Sequence, residues 1–271
     1  KAVLEFRHHL PFYGAAVLGL DDAHVADMSP SVTRAVVTYG LSEQADVRAT
    51  GIRQDGRMMH FLAHLPGRAE PLPVSLNLPG VHNVRNALGA MAIAWELGLD
   101  LASIVSSLAS FQGVGRRFAE VGQFAIGDGD VLVIEDYGHH PSELNATMTA
   151  AREGWRDRRM VVVFQPHRFT RTRDLFDDFS QVLATADVVV LTDIYAAGEE
   201  PIDGIDSGAL CQSIRARGRV NPVLVSNVLD IPRELPAMLE DGDLVLLLGA
   251  GNIGAVAQSI REQGFTVEDA A

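Results

Sequence analysis

Asp136-Tyr137-Gly138-His139-His140-Pro141 places a carboxylate, a phenol and two imidazoles directly after an apolar run over 131–135. These groups move protons and bind anions or metals, and packing alone does not explain such a cluster at a strand end. Neighbouring side chains diverge, so His139 and His140 make a poor metal pair. Neither a cysteine cluster nor an HExxH pattern supports one, and no metal site is expected. A second string, Gln165-Pro166-His167-Arg168-Phe169-Thr170-Arg171, follows the apolar run Met160–Phe164 in the same way. Arg168 and Arg171 at the entry to a helix suit a carboxylate or phosphate. A third polar end, 193–199, contains Asp193, Tyr195 and Glu199. The simpler alternative for all three is a solvated loop.

Other residues pose narrower questions. Asn83 and Asn86 lie three apart at the start of a helical pattern, so both amides project from one face of the first turn. Each amide offers donor and acceptor and suits a nucleobase edge; capping of the helix by Asn83 is an equal alternative. Arg116-Arg117 is placed to reach phosphate or to form an interdomain salt bridge. Gly249-Ala250-Gly251-Asn252-Ile253-Gly254 fits GxGxxG between a strand and a helix, which raises a nicotinamide dehydrogenase. Glu268 falls short of the acid expected about 20 residues on, and close helix packing explains the glycines as well.

The elements that must carry these residues follow from the apolar patterning. In the second half, strands over 131–135, 160–164, 187–192, 222–225, 244–248 and 265–267 alternate with helices over 142–153, 173–184, 207–217, 231–239 and 253–263. Continuous Val/Leu runs separated by helices indicate a doubly wound, mostly parallel α/β sheet. In such sheets ligands lie beyond the carboxyl ends of the strands, where the three polar strings fall. The first half reads as short strands over 15–20, 35–39, 47–52 and 58–63, then helices over 83–97 and 101–109. Gly98 and Asp100 supply a stop and an N-cap between those helices.

Charge divides the chain similarly. Residues 1–118 carry 10 acids and 10 Lys+Arg, while 119–271 carry 25 acids and 12 arginines, the whole net charge of −13. So acidic a surface is a poor match for nucleic acid. The region 152–173 is nonetheless arginine-rich. For Arg152, Arg156, Arg158 and Arg159 a solvated face is expected, and for the rest a small anion. Lys1 is the sole lysine, so Schiff-base and P-loop lysine chemistry have no candidate after position 1. One cysteine, Cys211, precludes an internal disulfide, and no apolar run approaches a membrane span. A cytoplasmic protein without a membrane span is expected; nothing in the residues specifies an oligomeric state.

Taken in order, LPFYG (10–14), VTYG (37–40), HNVRN (82–86), FQGVGRRF (111–118), EDYGHHP (135–141), FQPHRFTRTRDLFDDF (164–179), YAAGEEPIDG (195–204) and GAGNIG (249–254) resemble the Mur ligases. The likeness is strongest to the branch that joins L-alanine to UDP-N-acetylmuramate. It implies an ATP-dependent amide ligase of peptidoglycan precursor synthesis, in which ATP phosphorylates a carboxylate and an amine attacks the acyl phosphate. Residues 1–118 would be the C-terminal part of the central ATP-binding domain and 119–271 the C-terminal Rossmann-like domain. His82, Asn83 and Asn86 would hold the adenine side of ATP, and Arg117 the phosphates. Asp136 would lie near the nucleotide, with Arg117, Asp136 and His139 serving catalysis. Tyr137, His139, His167, Arg168 and Arg171 would line the pocket for L-alanine and the muramoyl end. The family's P-loop and Mg²⁺ ligands precede the matched region, so this stretch alone is expected to be inactive. A tripeptide-recycling ligase and a non-catalytic binding remnant are the alternatives.

Overall fold

Strands that are apolar at every position need cover on both faces, and the residues divide accordingly. A computed structural model describes residues 10, 11 and 13–265. The described chain forms two compact units that meet between Gln112 and Gly113.

The first unit contains β1 (Ala15–Gly19), α1 (Ala23–Met28), β2 (Ala35–Gly40), β3 (Val47–Asp55), β4 (Met58–His64), β5 (Leu72–Leu76), α2 (Val81–Glu96) and α3 (Leu101–Ser110). Its five strands lie in sequence order; β1, β2 and β3 are parallel, and β4 and β5 add antiparallel. The buried stripe of α2, Val84, Leu88 and Met91, packs with Val47, Phe61 and Val74 of the sheet. Gly98 takes a φ of 66° after α2, and the Asp100 carboxylate accepts the Ser103 N–H at 3.0 Å to start α3. Strand β5 contains Pro73, which argues against a strand from sequence. It is tolerated because β5 is the sheet edge, where a missing N–H leaves no ladder bond broken.

The second unit contains β6 (Ala119–Ile126), β7 (Gly129–Asp136), α4 (Pro141–Gly154), β8 (Met160–Phe164), α5 (Phe169–Asp174), α6 (Phe176–Leu183), β9 (Val188–Leu191), α7 (Ser207–Ala216), β10 (Val223–Leu224), α8 (Ile231–Glu234), β11 (Leu244–Leu248) and α9 (Ile253–Gln263). The sheet order is β10-β9-β8-β11-β7-β6, parallel throughout except β6. All five residues of β8 and of β11 are buried. Alternation sends Ile134, Val162, Phe164 and Leu246 to one face, against Leu144, Phe179 and Leu210. It sends Val133, Val161, Val163 and Val245 to the other, against Ile231, Val256 and Ile260. Burying each such side chain contributes roughly 1.5–3 kcal/mol, so this two-sided layer dominates the unit's cohesion.

Three expectations change in detail. The helix over 173–184 starts earlier and is broken at Leu175, whose φ of −120° separates α5 from α6. The helix over 231–239 ends at Glu234 and continues as a 3₁₀ turn, Leu235–Met238, because Pro236 lacks an N–H to extend it. Strand β6 is an addition: Gly122 and alternating polar residues hide it in the sequence, and it pairs antiparallel with a register shift between Glu120 and Gly122. Phe12 and most of the expected strand over 265–267 lie outside the described residues. Among those described, no helix is long and apolar enough to cross a membrane.

Candidate functional site

In the second unit β7, β8, β9 and β11 run parallel, so Asp136, Gln165, Thr192 and Gly249 fall along one edge. The helices after β7 and β8 cover one face and the helix after β11 covers the other. The chain therefore diverges on either side of the β11 end, the position that opens a crevice in this fold class.

Asp136 is buried at 7 % exposure. One carboxylate oxygen accepts the Phe118 N–H at 2.8 Å and the other the Gly138 N–H at 2.7 Å. Burial raises its carboxyl above the ordinary value, against the pull of those N–H groups and of Arg117. With both oxygens engaged, Asp136 ties the segment before β6 to the turn that presents Tyr137 and His139. Glu135 is raised by burial too, partly countered by Arg116.

A row of rings runs along the edge. Tyr137 meets His139 edge-on at 5.5 Å, His139 lies 5.9 Å from His167, and His167 stacks on Tyr195 at 5.4 Å. An isolated parallel bridge between His167 and Tyr195 extends β8 and β9, which holds the last pair in register. Four residues expected from sequence to share a pocket, Tyr137, His139, His167 and Arg171, are thus adjacent: an Arg171 terminal nitrogen lies 3.2 Å from the His167 ring and also donates to its carbonyl. Burial depresses the His167 pKa, reinforced by the positive charges of Arg171, His139 and Arg168 and opposed by Glu199. Arg168 has a φ of 72° at the entry to α5 and lies 3.6 Å from Glu199. Glu199 accepts both the N–H and the hydroxyl of Thr170, and these bonds hold its carboxyl below the usual value.

Arg117 is about half exposed, lies 3.6 Å from Glu143 of the same unit and sits over the Tyr137 ring, 5.5 Å from its centroid. Its neighbour Arg116 reaches into the glycine loop. The guanidinium lies over the Tyr137 ring at 4.9 Å and donates to the Gly249 and Gly251 carbonyls at 2.9 and 3.4 Å. The GxGxxG glycines make room for the chain's own side chains. A Cβ at Gly254 falls 2.6 Å from the Arg116 guanidinium carbon, and one at Gly251 runs into Gln165 and Tyr195. Gln165 donates to Asn252 at 2.6 Å and accepts the Ile253 N–H at 3.0 Å, capping α9 where a pyrophosphate would otherwise sit. Sequence reasoning missed the parts played by Arg116, Gln165 and Glu143. For Glu143 the signal was present, an acid three residues into a helix start, and the structure shows a capping box with His140. His140 itself is exposed and caps Ser142, a helix-start use unlike that of His139.

Arg152, Arg158 and Arg159 belong elsewhere. They pair with Asp187, Asp130 and the buried Asp243. These contacts hold the opposite, amino-terminal edge of the sheet.

In the first unit, Gly80 caps α2, which removes Asn83 from that duty. Asn83 donates to the Pro79 carbonyl at 2.8 Å and its own carbonyl accepts from Asn86 at 3.3 Å. Asn86 is exposed, and its carbonyl oxygen accepts no hydrogen bond among the described residues; His82 is half-buried beside them.

Comparison with known proteins accords with this arrangement. A model described as "Mur ligase, glutamate ligase domain" matches residues 116–251, and one described as "Mur ligase middle domain" matches 1–94. Among solved structures, the UDP-N-acetylmuramate-alanine ligase MurC of Thermotoga maritima is 27% identical. The match covers 84% of this chain and 47% of that one, with a TM-score of 0.66. A murein peptide ligase, mpl, of Psychrobacter arcticus is 23% identical over 98% of this chain and 55% of its own (TM-score 0.66). MurF of Thermotoga maritima, in complex with ADP, is 17% identical over 97% and 56% (TM-score 0.70). This chain therefore spans about half the length of the structures it matches. Two consecutive domain models of one family, in their proper order and over most of the residues, establish that the chain belongs to the Mur ligases.

Proposed function

We propose that the chain is the later part of an ATP-dependent ligase that joins L-alanine to UDP-N-acetylmuramate in peptidoglycan precursor synthesis. The first unit is the end of the central ATP-binding domain and the second the C-terminal domain. The observation that carries the reading is the row Tyr137–His139–His167 with Arg171 and Arg168, cationic and aromatic groups gathered at strand ends within an acidic chain.

ATP phosphorylates the muramoyl carboxylate, and the alanine amine displaces phosphate from the acyl phosphate. The protein's task is to align the reactants and offset phosphoryl charge. Asn86, with an open amide carbonyl, fits the exocyclic amine of adenine, and Asn83 and His82 flank it on the same helix turn. Arg117, half exposed, 3.6 Å from Glu143 and braced over the Tyr137 ring, fits a phosphate. Arg168 and Arg171 fit the amino-acid carboxylate, and Tyr137, His139 and His167 the surface against which alanine and the muramoyl end are held. Asp136 acts by position, since neither of its oxygens is open. Mg²⁺ bound with ATP would supply charge neutralisation at the phosphates.

A tripeptide as the incoming amine is the second reading, favoured by the likeness to the murein peptide ligase. The full-length protein containing these residues decides between them. Incubated with ATP and UDP-N-acetylmuramate, it should release ADP and form product with L-alanine and not with tripeptide. The reverse preference selects the second reading, and no ligation with either rejects both.

A further inference from the structure

Glu143 is the third residue of α4, where a carboxylate ordinarily does no more than close the helix start. Here it has two sides in use. One oxygen accepts the His139 and His140 N–H groups at 2.9 and 3.2 Å and lies 3.5 Å from the His139 ring nitrogen. The other faces a terminal nitrogen of Arg117 at 3.6 Å. Burial alone would raise this carboxyl, yet the His139 and His140 N–H groups and the charges of His139 and Arg117 hold it below its usual value, so the group is an anion at neutral pH. The two contacts differ in kind. The His139 side is fixed by backbone bonds, whereas the Arg117 side is longer than a closed N–H···O bond of about 2.7–3.2 Å and partly exposed. A stronger anion reaching Arg117 can take the guanidinium from Glu143 without disturbing the helix start. The carboxylate charge, no longer shared, then falls on His139.

We propose that Glu143 is a positioning residue that couples Arg117 to His139, so that occupancy of the arginine by an anion is felt at the imidazole. This rests on the assignment of Arg117 to phosphate and of His139 to the acceptor pocket. By linkage the effect is reciprocal: a ligand that engages His139 alters the grip of Arg117 on its anion. The two halves of the reaction, phosphoryl transfer and amine attack, thereby share one carboxylate.

The test uses Glu143→Gln in the full-length protein, since the amide oxygen still accepts the two N–H groups and preserves the helix start. The His139 imidazole resonance is followed by NMR without any ligand. Arg117→Ala should displace it distinctly further in the parent protein than in Glu143→Gln, where only the smaller part carried by the Tyr137 ring beneath Arg117 remains. In turnover, Glu143→Gln should lower kcat about tenfold, the scale of one lost charged contact. In the Arg117→Ala background the same change should cost less than about twofold, as expected of residues acting through one another. A His139 resonance that responds to Arg117→Ala equally with and without the Glu143 carboxylate, or activity losses that simply add, overturns the proposal. A parent protein with no ATP-dependent ligation but with the NMR coupling intact overturns the ligase reading and leaves the coupling standing.

Discussion

The Arg116 guanidinium lies over the Tyr137 ring, its central carbon 4.9 Å from the ring centroid, while the same group donates to the Gly249 carbonyl at 2.9 Å. One side chain thus fastens the turn after β7 to the turn after β11. Backbone bonds close the same seam, from Tyr137 N–H to the Arg116 carbonyl at 2.7 Å and from Gly249 N–H to the Asp136 carbonyl at 3.1 Å. The first ring of the aromatic row is thereby held by a cation whose other contacts are the carbonyls of the glycine loop.

Arg116→Ala should therefore loosen the glycine loop without unfolding the sheet. It removes two hydrogen bonds, a cation–π contact and the 4.0 Å ion pair with Glu135 at a partly buried site and leaves the residue's φ of 59°, which alanine tolerates no better than arginine. A loss of about 1–3 kcal/mol is expected in urea unfolding. Amide exchange should quicken at 249–252 before it quickens in β8. Unaltered exchange there would show the loop held by other means.

Gly251→Ala probes the loop from its other side. The added Cβ runs into Gln165 and Tyr195, whose positions are fixed by a capping bond and a stacked ring. Overpacking of this kind costs about 1–3 kcal/mol, and the midpoint of chemical unfolding should fall by that amount. NAD(H) titrated into the unsubstituted protein should give no saturable signal, because Arg116 and Gln165 occupy the space a pyrophosphate requires. Saturable binding abolished by this substitution would restore the dinucleotide reading.

The contrast explains what the sequence disclosed. Parallel strands such as Met160–Phe164 and Leu244–Leu248 are apolar on both faces, so composition alone marks them and places the polar strings after them. The proximity of Tyr137, His139 and His167 was legible because all three follow strands of one parallel sheet. Edge strands were less so: β5 carries Pro73 and β6 carries Gly122, each allowed where only one neighbour pairs. Arg116, Gln165 and Glu143 act through contacts with residues from other segments or through a cap. A motif read along the chain does not record such contacts, and GxGxxG was ambiguous for the same reason.

Asp136→Asn should destabilise the protein although it changes a single atom. An amide offers one acceptor where two N–H donors, of Phe118 and Gly138, converge, so one donor is left against an NH₂ group. Leaving a buried donor unmatched costs about 1–3 kcal/mol, measurable by urea unfolding. An Asp136→Asn protein as stable as the parent would mean that the carboxylate is protonated in the folded state and already presents one donor.

Arg168→Ala should separate binding from stability. Its ion pair with Glu199 is half exposed at 3.6 Å, so its removal should cost no more than about 1 kcal/mol. In the full-length protein the KM for the amino acid should rise about tenfold or more, as for loss of a charged contact, with the KM for ATP within about twofold. Equal rises in both constants would remove Arg168 from the carboxylate and return it to loop structure.

The depressed pKa of His167 sets a pH dependence whose sign follows from its surroundings. Burial, then the charges of Arg171, His139 and Arg168, disfavour its protonation in the folded chain. In the unfolded chain it titrates near the ordinary value of about 6.5. Between the folded and unfolded values the unfolded state binds more protons, so stability rises with pH in that window. The penalty is absent well above about pH 6.5 and complete below the folded value. His167→Gln, which does not titrate, should lose less stability than the parent as pH falls through this range. In unfolding curves collected at successive pH values, the difference between the two proteins should shift in favour of the variant on acidification. Arg171→Ala should move the His167 titration upward by NMR, because the nearest cation is gone. A difference that stays flat with pH, or grows in favour of the parent, would place a compensating anion at His167 and reverse the electrostatic account of the pocket.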